Sequence, residues 1–332
     1  MIPDAKQPAV TQALSAAFGV TDVEDIQPLT GGLGPSLVFR IVVRGTPYLL
    51  RVIVRREVMY DPTREFSCMK LGSDAGIAPR IWYANLEGLV LITDFVAAQP
   101  FPRDVALLIA STIRKLHTLP DFPFPKTGNY LDTMDGLAQR FQAANILPES
   151  ATEELFRGYN AVMGVYPRND AELVASHNDL KPQNMVFDGT RIWLVDWEAA
   201  FLNDPYVDLA VAANFFVRDE GQEEDYLRAY FGEPAGEYRR ARFYLMRQAM
   251  HVFYVALLML LVARSGIPID ADEPAPDFRD FHDRLISGEV ALVTPEERLQ
   301  YAKVHLNEAL RNMRTQRFQD AVALVRASTA AT

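Results

Sequence analysis

The run Ser176-His177-Asn178-Asp179-Leu180-Lys181-Pro182-Gln183-Asn184 sets a carboxylate and an amide five residues apart on one polar loop. It feeds Met185 to Phe187, an Asp188-Gly189 turn and a second apolar run, Ile192 to Val195, that ends in Asp196-Trp197-Glu198. A hairpin of this form brings the two outer ends of its strands together, so Asn184 and Asp196 can share a divalent ion. Hard oxygen ligands of this kind suit magnesium bridging phosphate oxygens, while Asp179 can align an attacking hydroxyl and accept its proton late. The chemistry is therefore that of phosphoryl transfer. An acidic hairpin can also simply solvate an edge, but the acids further downstream and the β-rich segment upstream agree with the motif.

The elements that must position these groups divide the chain in two. Asp25 to Leu29, Leu37 to Val43 and Tyr48 to Val54 are rich in β-branched and aromatic residues and are separated by Gly or Pro turns, which predicts three strands after a short helix near Pro8 to Phe18. The first turn holds Gly31, Gly32 and Gly34, which free the backbone to bend over a ligand. The second, Arg44-Gly45-Thr46-Pro47, reads as a plain hairpin connection. Asp61-Pro62 opens a helix over Thr63 to Ala75 with Glu65 in its first turn, and Ile81 to Ala84 and Leu89 to Phe95 complete a small sheet. Pro100 and Pro102 then interrupt both periodicities, which sets the boundary between residues 1–97 and a mainly helical part, 98–332. Helices are expected over Asp104 to Leu119, Thr133 to Ala144, Thr152 to Val165, from about Val207, and from the capping sequence Thr294-Pro295-Glu296-Glu297.

These residues resemble the protein-kinase-like superfamily, in its small-molecule branch of choline and ethanolamine kinases and aminoglycoside phosphotransferases. The resemblance spans most of the chain. It implies an α+β bilobal fold with an antiparallel N-lobe, use of ATP and Mg2+, Asp179 as catalytic base, and Asn184 and Asp196 as magnesium ligands. His177 and Asp208 would brace the loop, and Lys181 would approach the transferred phosphate or remain a solvated loop residue. Gly31, Gly32, Gly34 and Ser36 would cover the phosphates, although Pro35 removes one N–H donor. Arg51 stands where protein kinases carry a lysine, with Glu65 as its ion-pair partner, and backbone groups near Ile92, Thr93 and Asp94 would meet adenine. The continuation Asp196-Trp197-Glu198 and Asn203-Asp204-Pro205-Tyr206-Val207-Asp208-Leu209-Ala210 is similar to bacterial choline kinases, which commonly carry an aromatic residue where this chain has Ala199.

A choline-like acceptor calls for aromatic faces around a quaternary ammonium, and Trp197, Tyr206, Phe215, Phe253 and Tyr254 are available with Glu198 as the acid. An aminoglycoside would instead call on clustered carboxylates such as Asp270, Asp272, Glu273 and Asp277. A catalytically silent nucleotide-binding regulator is a third reading, opposed by retention of the base and both metal ligands. The absence of Asp-Phe-Gly and Ala-Pro-Glu sequences disfavours a protein kinase.

Composition narrows the field further. The 332 residues exceed one ordinary core, and 49% are hydrophobic, enough for two packed lobes. A formal charge of -10 disfavours nucleic acid and anionic lipid as partners. One cysteine, Cys68, and no apolar leader-like segment near the start lead to the expectation of a cytoplasmic protein. The apolar stretch Val252 to Ala263 is expected to be a core helix. His117, His251, His282 and His305 lack metal-ligand spacing and are read as helix or surface residues.

Overall fold

A computed structural model describes residues 2–29, 36–54, 62–122, 130–168, 172–270 and 273–329. Its first part is an antiparallel sheet in the order β1-β2-β3-β5-β4, made of β1 (Asp25–Pro28), β2 (Ser36–Val43), β3 (Thr46–Ile53), β4 (Ile81–Asn85) and β5 (Val90–Asp94). Side chains alternate across these strands. Phe39, Ile41, Leu50, Val52, Val90 and Ile92 pack under α1 (Gln7–Phe18). Leu91 belongs instead to the larger core on the opposite face, and Arg51, paired with it across the ladder, shares that face. The β2–β3 turn is made by Arg44 and Gly45, both at positive φ, the arrangement a two-residue hairpin favours. The cluster Gly31, Gly32 and Gly34, and the helix-opening Asp61, lie outside the described residues.

The remainder is mainly helical: α2 (Pro62–Asp74) belongs to the sheet, and α3 (Val105–His117), α4 (Tyr130–Ala143) and α5 (Glu149–Met163) precede the short strands β6 (Val174–Ser176), β7 (Met185–Phe187), β8 (Ile192–Leu194) and β9 (Phe201–Asn203). Then follow α6 (Pro205–Phe216), α7 (Glu220–Phe231), α8 (Glu237–Ala263), α9 (Phe278–Ser287), α10 (Pro295–Met313) and α11 (Gln316–Thr329). This is the bilobal α+β kinase-like fold. The expected capping box is present: Thr294 Oγ1 accepts from Glu297 N–H, and Glu297 returns the bond to Thr294 N–H. Helices α4 and α5 start about one turn earlier than their periodicity suggests, because Tyr130 and Glu149 extend the helical turn ahead of the first well-spaced apolar residues.

Helix α8 packs against α4, α5, α6, α10 and α11. It is long and apolar enough to cross a membrane, yet 67% of its apolar window is buried inside the protein, as a central core helix requires. The core also crosses the lobes. Phe66, Cys68 and Met69 of α2, Ile77 of the connection that follows it, and Ile53 and Leu91 of the sheet join the same apolar cluster as the helices. Gly72 makes this possible: a Cβ there would stand 2.6 Å from two carbons of the Trp197 indole. Helix α2 is thus seated directly on Trp197, the residue after Asp196.

Candidate active site

One short hairpin, nested inside a second two-stranded ladder, sets the loop. Strand β6 pairs with β9 and β7 with β8, so residues 177–184 run from one ladder to the other. Val195 N–H donates to Asn184 O at 3.0 Å, closing the β7–β8 pair and setting Asn184 beside Asp196. His177 is fully buried, and its Nε2–H donates to Val195 O at 3.0 Å, tying the loop to the residue before Asp196. Asp208, fully buried in the first turn of α6, accepts from the N–H groups of His177 (2.8 Å) and Asn178 (2.7 Å). Its carboxylate also accepts from His117 Nε2 at 3.2 Å, while His117 Nδ1 meets the Tyr230 hydroxyl at 2.7 Å.

Within this frame Asp179 is held by its own loop. Asn184 Nδ2 donates to its carbonyl and carboxylate, and Lys181 Nζ donates to the carboxylate at 2.7 Å. Burial opposes the charge on Lys181, but Asp179, with Asp196 and Glu198 beyond it, outweighs burial and raises its pKa. Because the amide nitrogen of Asn184 is spent on Asp179, its oxygen is turned away from that residue. Asp196 sits in the left-handed region, φ 64° and ψ 67°, with its carboxylate partly exposed. Arg51 reaches it from the sheet at 3.6 Å and forms the expected pair with Glu65, which is fully buried on α2. Burial first, and then Asp196, raises the pKa of Glu198.

Asn184 and Asp196 supply one amide and one carboxylate oxygen. Among the described residues no three His, Cys, Asp or Glu side chains converge as a self-sufficient metal site. The pair fits magnesium, which takes an octahedron of hard oxygens and shares it among protein, phosphate and water.

The other expected residues divide. Ile92 and Thr93 lie in β5, whose backbone is engaged by β3 on one side and β4 on the other, and Asp94 N–H donates to Arg80 O. Backbone outside that ladder begins at Phe95. Trp197 is fully buried, donates to Leu194 O at 3.1 Å and packs its ring on His177. Tyr206 is buried beneath Arg242, 4.6 Å from its ring, and Phe215 is buried against Phe216 and His282. These three are core residues, since helix and hairpin packing claims their faces. Phe253 and Tyr254 are only partly buried and join residues that the periodicity did not single out. Tyr130 stacks near Phe253 (5.9 Å) and Phe201 (5.8 Å), and Tyr254 lies near Tyr301 (6.0 Å). Burial raises the pKa of Tyr130 and Tyr254, with Asp179 adding to the shift in each, and Phe201 O accepts from Asn178 Nδ2 at 3.4 Å, which joins these rings to the loop, whereas Tyr301 is buried against Phe281 in the core. The four other histidines are all in helices, but none is on the surface.

The family model described as the phosphotransferase enzyme family matches residues 25–244, the span that holds the sheet, the loop and the hairpins. The chain belongs to this family. Protein LicA of Haemophilus influenzae is similar to the phosphotransferase over 41 residues at 46% identity, a segment covering 12% of this chain and only 12% of that relative. A choline/ethanolamine kinase family protein from Mesorhizobium loti shares the fold, with TM-score 0.69 at 22% identity over 97% of this chain and 99% of that one. Spectinomycin phosphotransferase, solved with ADP and spectinomycin, shares it at TM-score 0.55 and 13% identity over 90% of this chain and 98% of the other.

Proposed function

We propose that this phosphotransferase moves the γ-phosphoryl group of ATP to the hydroxyl of a small choline- or ethanolamine-like amino alcohol. ATP would supply the phosphoryl group, and magnesium, which Asn184 and Asp196 would hold, would supply positive charge to its oxygens. Asp179 orients the acceptor hydroxyl and takes its proton, Lys181 offsets the charge that gathers beside it, and Arg51, steadied by Glu65, grips phosphate. The free backbone that begins at Phe95 would meet the adenine. Family membership supports phosphoryl transfer, and the ADP bound to the spectinomycin enzyme supports an adenine nucleotide.

The observation that carries the acceptor is the partly buried ring group Tyr130, Phe201, Phe253 and Tyr254, joined to the Asp179 loop where Phe201 O accepts from Asn178 Nδ2 at 3.4 Å. Aromatic faces attract a quaternary ammonium that can make no hydrogen bonds. Phe201, two residues beyond Ala199, restores an aromatic face next to Tyr130. Two of the four carboxylates that would favour a polyamine are engaged elsewhere: Glu273 accepts from buried Lys303 at 2.8 Å, and Asp277 caps α9. Asp272 lies outside the described residues.

Initial rates with magnesium and ATP against choline, ethanolamine, thiamine and aminoglycosides test the reading. Choline or ethanolamine is expected to respond, and Tyr254→Ala to raise its KM about 2- to 30-fold, the worth of one cation–π face. A response to aminoglycosides alone would contradict the acceptor, and ATP turnover with none of them would favour a nucleotide-binding regulator.

A further inference from the structure

Asn178, the residue immediately before the base, stands in the left-handed region at φ 65°. Asparagine tolerates that region better than most residues and glycine best, because only glycine lacks the Cβ that crowds the carbonyl. The side chain of Asn178 is not idle there. Its Nδ2 donates to Ala199 O at 3.0 Å, and its Oδ1 accepts from Asn203 Nδ2 at 2.6 Å. Asn203 is 2% exposed, and its own Oδ1 accepts from Asp204 N–H at 2.8 Å, which fixes the amide so that nitrogen faces Asn178. Asp204 is in turn anchored to Arg242 of α8 at 2.8 Å. The peptide turn at Asn178 buries Leu180 completely and leaves Asp179 partly exposed.

We propose that Asn203 is a positioning residue for phosphoryl transfer: its amide latches Asn178 in the left-handed turn and so aims the Asp179 carboxylate. Asp208 fixes the two N–H groups ahead of the base, whereas Asn203 fixes the rotation of the peptide that follows them. The inference rests on the phosphoryl-transfer reading for its catalytic consequence, but the latch itself does not.

The test is a double-mutant cycle of Asn203→Ala and Asn178→Gly on the full chain, read twice. The first readout is hydrogen exchange of the segment 177–184, which needs no turnover. Asn203→Ala is expected to speed its exchange when Asn178 is present and to change it little when glycine, which holds the turn unaided, replaces it. The second is transfer kinetics: Asn203→Ala is expected to lower kcat about 10- to 100-fold with the ATP KM unchanged, and to cost less than about 3-fold in the Asn178→Gly background. Equal exchange effects in both backgrounds would overturn the latch. Uncoupled exchange-normal kinetics, with kcat falling equally in both backgrounds, would overturn the positioning role. A wild-type protein that transfers no phosphate to any acceptor would sink the function while leaving the exchange result to decide the latch.

Discussion

Asn184 donates from one amide nitrogen to both the carbonyl (2.9 Å) and the carboxylate (2.7 Å) of Asp179. One side chain therefore orients Asp179 while, on the proposed reading, its oxygen is left for magnesium. Asn184→Ala is expected to raise the magnesium concentration needed for half-maximal rate and, at saturating magnesium, to leave kcat at least about 10-fold low, because geometry is lost as well as a ligand. Magnesium titration of the initial rate separates the two effects; full recovery at high magnesium would show that the bonds to Asp179 contribute nothing.

Glu65 is buried and paired with Arg51, which also approaches Asp196. Breaking such a pair from one side leaves a charge stranded, at a cost of about 3–5 kcal/mol. Glu65→Ala is expected to lower the melting temperature and to raise the ATP KM with the acceptor KM unchanged. Parallel titrations of both substrates check this.

His282 gives the protein a defined acid sensitivity. Its Nδ1–H donates to Phe278 O at 2.7 Å, so its Nε2 accepts from the Tyr301 hydroxyl at 3.2 Å. Burial lowers its pKa from 6.5 to about 3. The unfolded chain therefore takes up a proton at His282 before the folded one does. The stability it preserves is complete above pH 6.5 and is lost as pH falls from there, by up to about 1.4 kcal/mol per unit. Urea melts at several pH values should show a shallower slope for His282→Gln between pH 6.5 and 5.

Gly72→Ala drives a methyl into the Trp197 ring, which is fully buried and not free to retreat. A loss of about 1–3 kcal/mol is expected from overpacking, measured by denaturant unfolding. Since α2 carries Glu65, the ATP KM should rise as well.

The sequence was most informative where chemistry fixes spacing. The loop from His177 to Asn184 and the hairpin to Asp196 were legible because strand pairing leaves few ways to arrange them, whereas the Arg51–Glu65 pair came only as what the resemblance to kinases implies. It was least informative where a role depends on tertiary contact. His117 is 91 residues from Asp208, and nothing in its local pattern marks it as that carboxylate's partner. Trp197 and Tyr206 carry the right ring for a cage but face inward, whereas Tyr130 and Tyr254 lie on helices whose periodicity records only that one side is apolar. Helix packing, which no single segment encodes, decides which rings reach Asp179.

The base assignment is the centre of the account, and single-turnover transfer by Asp179→Asn with magnesium, ATP and the best acceptor tests it most directly. The rate constant is expected to fall about 10²- to 10⁴-fold with nucleotide binding retained. Transfer at the wild-type rate would contradict the role given to Asp179 and, with it, the mechanism.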